Sequence, residues 1–292
     1  MPLRLGNLTI SASGSPLVMG ILNVTPDSFS DAGRYLDPKQ AADRAAEMVA
    51  QGADIIDVGP ESTRPGSHEV PASEQIARAI PVIEGIREQN ASTTISIDVR
   101  LACVAKAALD AGADIINDVS AMRDDPGMVD LIAGSDVPIV LMHRRGNPVD
   151  MQQDGGPLYD DVVAEIRAFL SQRVDWAVER GVKRSQIVID PGIGFGKRVE
   201  HNLLILRHLD KFVSLGLPVL VGASRKRFIR PSSGDAARRV ESEEAKDKSW
   251  PAGSLACAVI ATMARASILR VHDVAETLEA VRVCAAIRDA AR

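Results

Sequence analysis

Short runs of apolar residues alternate along the chain with longer segments that are rich in Ala, Glu and Arg. Eight of the apolar runs have the length and the β-branched content of strands; they cover residues 17–23, 54–59, 93–98, 114–120, 138–143, 186–191, 218–224 and 267–273. The segments between them include four with a helical pattern, at 39–51, 72–89, 159–181 and 273–290. Strands that alternate with helices are typical of βαβ units and a parallel sheet.

Eight strand–helix units predict an α/β fold in which the strands close into a (β/α)8 TIM barrel. The chain has 292 residues, which is near the usual length of about 250 residues for such a barrel. We therefore expect a single domain over residues 1–292, with a long charged loop at about 229–250. The alternative is an open doubly wound sheet. A glycine-rich turn after the first strand would favour it, and the sequence there reads NVTPDSFSD.

Two of the predicted strands are preceded by the same short pattern. GADIIDVG at 52–59 is echoed by GADIINDVS at 112–120. Glycine is favoured just past the end of a helix because it adopts the left-handed conformation without strain. The repeat therefore predicts a helix end followed by a strand at both places.

Composition and charge exclude several classes of protein. The net charge is −5, and the chain has only two Trp, two Tyr and five Phe, so a basic face interleaved with aromatic residues is not predicted and a nucleic-acid binder is disfavoured. Three scattered cysteines, Cys103, Cys257 and Cys284, favour a reducing compartment over a disulfide framework. The N-terminus shows no secretory pattern and no apolar run is long enough to span a bilayer. We expect a cytoplasmic protein.

Polar residues gather near the predicted ends of the strands, where the functional residues of such barrels lie. They are Asn23, Asp57, Asp98, Asn117, His143, Asp190, Lys226, Arg270 and His272. Because side chains alternate along a strand, Asp98 shares one face with Thr94 and Ser96, and Arg270 shares one with His272. Each residue alone is more often a helix cap, an ion pair or a buried structural histidine. The combination of so many chemical types at one rim indicates a binding site.

The chemistry of these residues indicates the kind of ligand. Two buried carboxylates and an asparagine suit a ring edge that is rich in N–H donors, such as an amino-pyrimidinone. Lys226 could donate to the carbonyl or a ring nitrogen of the same ring. Asn23, Arg270 and His272 predict an anion site, because arginine suits bidentate recognition of phosphate. The site therefore suits a polar heterocycle that bears a phosphate group.

The glycine-rich stretch DPGIGFGK at 190–197 matches neither of the common nucleotide motifs. Its G-x-G-x-G spacing differs from the dinucleotide fingerprint, and Arg198 stands where a phosphate-cradling loop needs Ser or Thr. We expect the glycines to permit an unusual backbone path near a ligand. A dedicated metal motif such as H-E-x-x-H is absent from the sequence.

Eight motifs, taken in order, resemble the dihydropteroate synthase family of pterin-binding enzymes over nearly the whole chain. They are MGILNVTPDSFSD (19–31), IDVGPESTRPG (56–66), IINDVS (115–120), LMH with GNP (141–148), DPGIGFGK (190–197), GASRKRFI (222–229), GSLACAVIA (253–261) and RVHDV (270–274). The resemblance implies a TIM barrel that joins 6-hydroxymethyl-7,8-dihydropterin diphosphate to 4-aminobenzoate, forms 7,8-dihydropteroate and releases diphosphate. It also implies Mg²⁺ as a cofactor, a homodimer and a target of sulfonamides, which resemble the aminobenzoate. The Ala-rich helix after Gly253 offers a contact face for the homodimer.

The resemblance also implies roles for individual residues. The pterin pocket is implied to consist of Asp98, Asn117, Met142, Asp190, Phe195, Gly222 and Lys226. The diphosphate is implied to bind Asn23, Arg270 and His272, with Asn23 also on Mg²⁺, and the aminobenzoate to bind Phe29, Thr63, Arg64, Pro65 and Ser224. The implied catalytic residues are Asp98, Asp190, Lys226, Arg270 and His272.

Two positions differ from the family pattern. Pro60 stands where the family has a second glycine before Glu61. Val99 stands where the family has Thr or Ser directly after the aspartate that corresponds to Asp98. Two alternative functions share the same barrel: a methyltransferase that moves a methyl group from a reduced folate to a corrinoid protein, and a catalytically weak or inactive paralogue that binds pterin. The motifs STRPG and SRKRF favour the synthase over the methyltransferase.

Overall fold

The computed structural model describes residues 3–5, 8–10, 14–25, 37–62, 67–146, 151, 157–229 and 250–290. Its strands, in chain order, are β1 (Leu3–Leu5), β2 (Leu8–Ile10), β3 (Leu17–Asn23), β4 (Ile55–Gly59), β5 (Thr94–Asp98), β6 (Ile115–Asp118), β7 (Ile139–Met142), β8 (Ile187–Asp190), β9 (Leu220–Val221) and β10 (Ile268–Val271). Its helices are α1 (Pro38–Ala50), α2 (Ala72–Gln89), α3 (Ala102–Asp110), α4 (Gly127–Ala133), α5 (Val162–Glu179), α6 (Val199–Arg207), α7 (Leu209–Val213), α8 (Pro251–Met263) and α9 (Val274–Ala290).

The eight strands from β3 to β10 form one parallel sheet that closes on itself. The strand order is β8-β7-β6-β5-β4-β3-β10-β9, and a parallel bridge between Ile189 and Val219 joins the two edges. The predicted TIM barrel is therefore confirmed, and the open doubly wound alternative is wrong. Each of the eight predicted strands contains one of these strands, and each of the four predicted helices overlaps an observed helix closely.

The core has an inner and an outer layer because side chains alternate along each strand. Inside the barrel lie Met19, Ile55, Ile115, Val140, Val188, Leu220 and Ile268. The intervening residues, such as Ile95 and Ile97, belong to the larger cluster that packs under the helices. This alternation also decides which polar residues of a strand point inward, so Asp98 lies on the inner face.

The amino-terminal end of the barrel is covered by the hairpin β1–β2, which the pattern of apolar residues does not predict. Ile10 of this hairpin packs with the inner cluster, three of whose members are the first residues of β4, β6 and β10. Because Ile10 closes this end, ligands are expected at the carboxyl ends of the strands.

Glycines end several helices, as the repeated GAD pattern predicts. Gly52 and Gly112 have φ of 99° and 110°, values that favour glycine. The predicted charged loop lies, apart from residues 229 and 250, outside the described residues. In the part of the chain that is described, no helix is both long enough and apolar enough to cross a membrane.

Candidate active site

The strand register brings the predicted polar residues together at one rim. Asp98 at the end of β5 is the register partner of Asn117 on β6, and Met142 at the end of β7 is the partner of Asp190 on β8. On the other side of the barrel, Asn23 at the end of β3 pairs with Gly59. All of these positions are at carboxyl ends of parallel strands, where active sites of such barrels lie.

Arg270 on β10 crosses the mouth of the barrel and binds two carboxylates. Its Nε lies 2.6 Å from Asp57 Oδ2, and its Nη2 lies 2.9 Å from Asp98 Oδ2. The Asn117 side-chain amide donates to Asp57 Oδ2 at 3.2 Å. Burial lowers the pKa of Arg270, but the charges of Asp57 and Asp98 outweigh that effect and the pKa is raised. The guanidinium is therefore a permanent cation at this site.

One oxygen of the Asp98 carboxylate lacks a hydrogen-bond donor in the part of the chain that the structure describes. Its Oδ1 is buried and has no hydrogen-bond partner among the described residues. Burial raises the pKa of Asp98 to about 7, while Arg270 acts to lower it and Asp57 acts to raise it. A buried oxygen without a donor is costly, so this oxygen is the natural acceptor for a ligand N–H group.

Asp190, Phe195 and Lys226 form the opposite side of the pocket. Asp190 Oδ1 accepts the Gly192 N–H at 2.7 Å, and burial raises the pKa of this carboxyl although Lys226 acts to lower it. The Lys226 ammonium donates to the Ile193 carbonyl and lies 4.5 Å from the centroid of the Phe195 ring. Burial lowers the pKa of Lys226 to about 8, against the effect of Asp190.

The glycine-rich stretch after β8 has the unusual backbone path that its sequence predicts. Gly192, Gly194 and Gly196 all have positive φ, at 67°, 85° and 60°. A Cβ at Gly192 would overlap the carbonyl oxygen of His143, and one at Gly194 would lie 2.8 Å from the Lys226 side chain. The glycines are therefore needed for the close approach of this loop to the pocket.

The predicted diphosphate residues lie at the adjacent part of the rim. Ser224 Oγ lies 3.1 Å from His272 Nδ1 and accepts the His272 backbone N–H at 3.2 Å. Gly222 lies beside Arg270, since a Cβ built on it would be 3.7 Å from Arg270 Cβ. The Asn23 side-chain oxygen lies 3.3 Å from the corresponding Cβ position on Gly59. The His272 imidazole and the Ser224 hydroxyl therefore lie together on one part of the rim, and the Asn23 amide lies beside Gly59 at the end of β4.

Not every predicted residue can be placed, and one important residue was missed. Phe29, Thr63, Arg64 and Pro65 lie outside the described residues. The sequence predicts Asp57 as a strand-end residue and indicates no role for it, although its carboxylate binds Arg270. A signal existed in the sequence, because a carboxylate between Ile56 and Val58 in a buried strand must have a cationic or donor partner.

Comparisons with known proteins agree with this arrangement. The model of the family described as pterin binding enzyme matches residues 19–272. The Escherichia coli dihydropteroate synthase is 44% identical over 268 residues, which cover 92% of this chain and 90% of that protein.

Two solved structures with the same fold were matched as well. A Yersinia pestis dihydropteroate synthase in a sulfonamide drug complex has a TM-score of 0.87 and 40% identity, covering 99% of this chain and all of that one. The Xanthomonas albilineans dihydropteroate synthase with 4-aminobenzoic acid has a TM-score of 0.83 and 41% identity, covering 98% of both chains. The chain belongs to the pterin-binding enzyme family and, within it, to the dihydropteroate synthases.

Proposed function

We propose that this chain joins 6-hydroxymethyl-7,8-dihydropterin diphosphate to 4-aminobenzoate and releases diphosphate, the step of folate synthesis that forms 7,8-dihydropteroate. The observation that supports it best is that two carboxylates, Asp98 and Asp190, lie in the same barrel mouth as two cations, Lys226 and Arg270. A pterin ring offers N–H donors on one edge and acceptors on another, so it needs carboxylates and an ammonium group in the same pocket.

The pterin ring is held by groups of matched polarity. Asp98 Oδ1 has no partner among the described residues and would accept a ring N–H, with Asp190 and Asn117 as further polar contacts. Lys226 would donate to the ring carbonyl or a ring nitrogen. Phe195 and Met142 supply apolar surface, and Gly222 leaves room at the wall. When a ring N–H donates to this Asp98 oxygen, the free-energy cost of a buried acceptor without a donor is removed.

The reaction exchanges one bond for another at the methylene carbon of the pterin. The C–O bond to diphosphate breaks, its electron pair leaves with the oxygen, and the aminobenzoate nitrogen forms the new C–N bond and then loses a proton. Positive charge develops on the carbon and the ring, where Asp98 and Asp190 stabilise it. Negative charge develops on the leaving group, where Arg270 and His272 stabilise it. The protein needs no nucleophile of its own.

The diphosphate side also suits a magnesium ion. Among the described residues no cluster of three or more His, Cys, Asp or Glu side chains could hold a metal alone. Mg²⁺ commonly uses few protein ligands and takes the rest from substrate phosphates and water, so the half-buried Asn23 amide oxygen is a sufficient anchor. Bound there, the ion would neutralise charge on the leaving diphosphate. The bonds of Arg270 to Asp57 and Asp98 use Nε and Nη2, and Nη1 is proposed to donate to the same group.

The aminobenzoate is assigned to the side of the site that carries Ser224. Ser224 is buried and its hydroxyl lies 3.1 Å from His272 Nδ1, next to one of the proposed diphosphate residues. Phe29, Thr63, Arg64 and Pro65 are proposed as the remaining contacts. Sulfonamides are expected to compete for this part of the site because they resemble the aminobenzoate.

We also propose that two copies of the chain associate through helices α8 and α9. Ile260 and Met263 on α8 and Val283 and Ile287 on α9 are large apolar residues that are exposed. Large apolar side chains that are exposed on two neighbouring helices favour association. Light scattering after size exclusion should give twice the mass of the chain, and Met263→Glu should shift it towards the monomer. The cytoplasmic location stays a prediction.

One assay tests the proposed function directly. The purified chain is supplied with the pterin diphosphate, 4-aminobenzoate and Mg²⁺, and the products are separated by chromatography. Formation of dihydropteroate that depends on both substrates supports the synthase. Its absence, with pterin binding retained, would identify the chain as an inactive paralogue, and methyl transfer from a reduced folate to a corrinoid protein would identify the methyltransferase.

A further inference from the structure

Four consecutive loops at the carboxyl rim of the barrel are joined by alternating charges. Glu61 follows β4, Arg100 follows β5, Asp124 follows β6 and Arg144 follows β7. Arg100 binds Glu61 through Nε at 3.0 Å and Asp124 through Nη1 at 3.0 Å. Asp124 in turn accepts from Arg144 Nη2 at 2.6 Å. These four side chains, here called the rim network, connect loops that are far apart in the sequence.

The rim network is buried, which separates it from ordinary surface ion pairs. The exposed fractions of the side chains are 6% for Glu61, 10% for Arg100, 18% for Asp124 and 4% for Arg144. Exposed pairs contribute little because water and salt screen them. A buried pair, in contrast, is costly to break, because the remaining charge has no compensation. The relative positions of the four loops are therefore fixed strongly.

Glu61 also fixes both ends of the loop between β4 and α2. Its Oε1 accepts the Val70 backbone N–H at 2.8 Å, so one carboxylate binds residue 70 and Arg100 together. Ser67 Oγ donates to the Ser62 carbonyl at 2.5 Å. The segment between Ser62 and Ser67 contains three of the residues that the proposed function assigns to the aminobenzoate. The network thus holds the two ends of that segment.

The loop that carries Asp124 adopts a strained backbone. Ala121 and Met122 have φ of 55° and 60°, a conformation that is unfavourable for residues with a Cβ. The Asp118 carboxylate accepts the Ser120 and Met122 N–H groups at 2.7 and 2.6 Å, which stabilises the path. Strain of this kind persists where surrounding contacts demand it and is concentrated at functional sites. In this loop, the strained path is followed by Asp124, which binds both Arg100 and Arg144.

We propose that the rim network is a positioning device for the second substrate: it sets the ends of the β4–α2 loop so that the aminobenzoate nitrogen meets the methylene carbon. This inference rests on the proposed function. None of the four side chains is assigned to either substrate, so they act through the loop. A displacement of about 1 Å far from the chemistry can reduce a rate by about a hundredfold, which gives the network a role in catalysis as well as in stability.

The test compares the KM values of the two substrates in Arg100→Met, Glu61→Gln, Asp124→Asn and Arg144→Met. In Glu61→Gln and Arg100→Met, the KM for 4-aminobenzoate is expected to rise about tenfold and the KM for the pterin diphosphate less than about twofold. Asp124→Asn and Arg144→Met should give successively smaller effects, because they lie further from the loop. Arg100→Lys, which keeps the charge, should recover part of the loss.

Arg87→Met is the matched control. Arg87 binds Asp114 at 2.5 Å in a half-buried pair at the opposite end of the barrel, so its loss should lower stability without changing the ratio of the KM values. If Arg100→Met does not fold, Glu61→Gln decides, since glutamine keeps the size of the side chain but removes the negative charge that binds Arg100 and strengthens the bond from the Val70 N–H. A lower melting temperature with both KM values unchanged, or an equal rise in both, would overturn the proposal.

Amide exchange separates this proposal from the proposed function. In Glu61→Gln and Arg100→Met, exchange at Val70 should become faster, whereas Arg87→Met should leave it unchanged. If the unmodified chain formed no dihydropteroate, the proposed function would fail, and the exchange data would still decide whether the network holds the loop ends. Unchanged exchange at Val70 in both variants would contradict the network by itself.

Discussion

The two ends of the barrel use the same pair of chemical groups in different ways. At the amino-terminal end, Arg87 donates to Asp114 and also to the backbone carbonyls of Gly112, Ala91 and Thr93. Asp114 Oδ2 also accepts the backbone N–H of Ile95 at 2.8 Å, so this pair is well provided with partners. At the carboxyl end, Arg270 binds Asp57 and Asp98, and Asp98 Oδ1 is left buried without a donor among the described residues.

The difference distinguishes an ion pair that stabilises the fold from one that awaits a ligand. A buried carboxylate with an unmatched oxygen costs free energy in the empty protein. That cost is recovered when a ligand N–H binds. Perturbed pKa values are concentrated at functional sites for this reason, and burial raises the pKa of Asp98 to about 7. Loss of an ion pair at the amino-terminal end should therefore lower stability, whereas loss of one at the carboxyl end should lower ligand binding and activity.

The largest effect is expected from Asp98→Asn. The substitution replaces an acceptor by an amide and removes a counter-charge of Arg270, so kcat/KM for the pterin diphosphate should fall about 10²–10³-fold. Steady-state kinetics measures the fall. Asp114→Asn is the comparison: it should lower the free energy of unfolding by about 1–3 kcal/mol and leave kcat/KM unchanged. A similar loss of kcat/KM in both variants would show that the two ends do not differ as proposed.

Glycines at the two ends give the next largest contrast. Gly192 follows β8 at the carboxyl end and Gly216 precedes β9 at the other, with similar φ of 67° and 72°. A Cβ on Gly192 would overlap the His143 carbonyl, while one on Gly216 meets nothing within 4 Å. Gly216→Ala should therefore cost only the conformational strain, about 1–2 kcal/mol, and Gly192→Ala about 3–5 kcal/mol. Denaturant unfolding measures both, and equal losses would contradict the crowding at Gly192.

Arg270→Lys should produce a smaller and more selective effect. Lysine keeps a positive charge between Asp57 and Asp98 but loses the planar fork that reaches a phosphate oxygen as well. The affinity for the pterin diphosphate should fall about tenfold, and the affinity for a pterin without phosphates should change much less. Calorimetry with both ligands measures the difference. Equal losses would remove Arg270 from the diphosphate site.

The sequence predicted the barrel well because the fold depends on local patterns. Apolar runs, helix-end glycines such as Gly52 and the strand alternation that turns Asp98 inward are all readable within a few residues. The ion pairs were not predicted because they join residues that are far apart in the sequence. Arg270 finds Asp57 only when the barrel closes, and Glu61 and Arg100 meet only when neighbouring loops are placed. The hairpin β1–β2 was missed because strands of three residues carry almost no periodic signal.

The smallest expected effect is the pH dependence of pterin binding, which tests the ionisation state of the carboxyl end. Burial raises the pKa of Asp98 to about 7 in the ligand-free protein, and only the ionised form keeps Oδ1 as an acceptor for a ligand N–H while Oδ2 binds Arg270. Binding must therefore displace a proton below pH 7, and affinity for a phosphate-free pterin should fall about threefold from pH 7.5 to 6.5. Above pH 8, affinity should fall again because the pKa of Lys226 is lowered to about 8.

Variants separate the titration of Asp98 and Lys226 from the titration of the ligand, because the ligand titrates in the same way with every protein. Asp98→Asn should remove the loss of affinity on the acid side, and Lys226→Arg should remove the part of the alkaline loss that the lysine causes, because arginine stays protonated. Asp114→Asn, at the other end of the barrel, should retain both. Calorimetry across pH 6 to 9 measures all four proteins. If Asp98→Asn kept the acid-side loss, the titrating group would lie elsewhere, and the unmatched oxygen of Asp98 would not be the acceptor for the pterin.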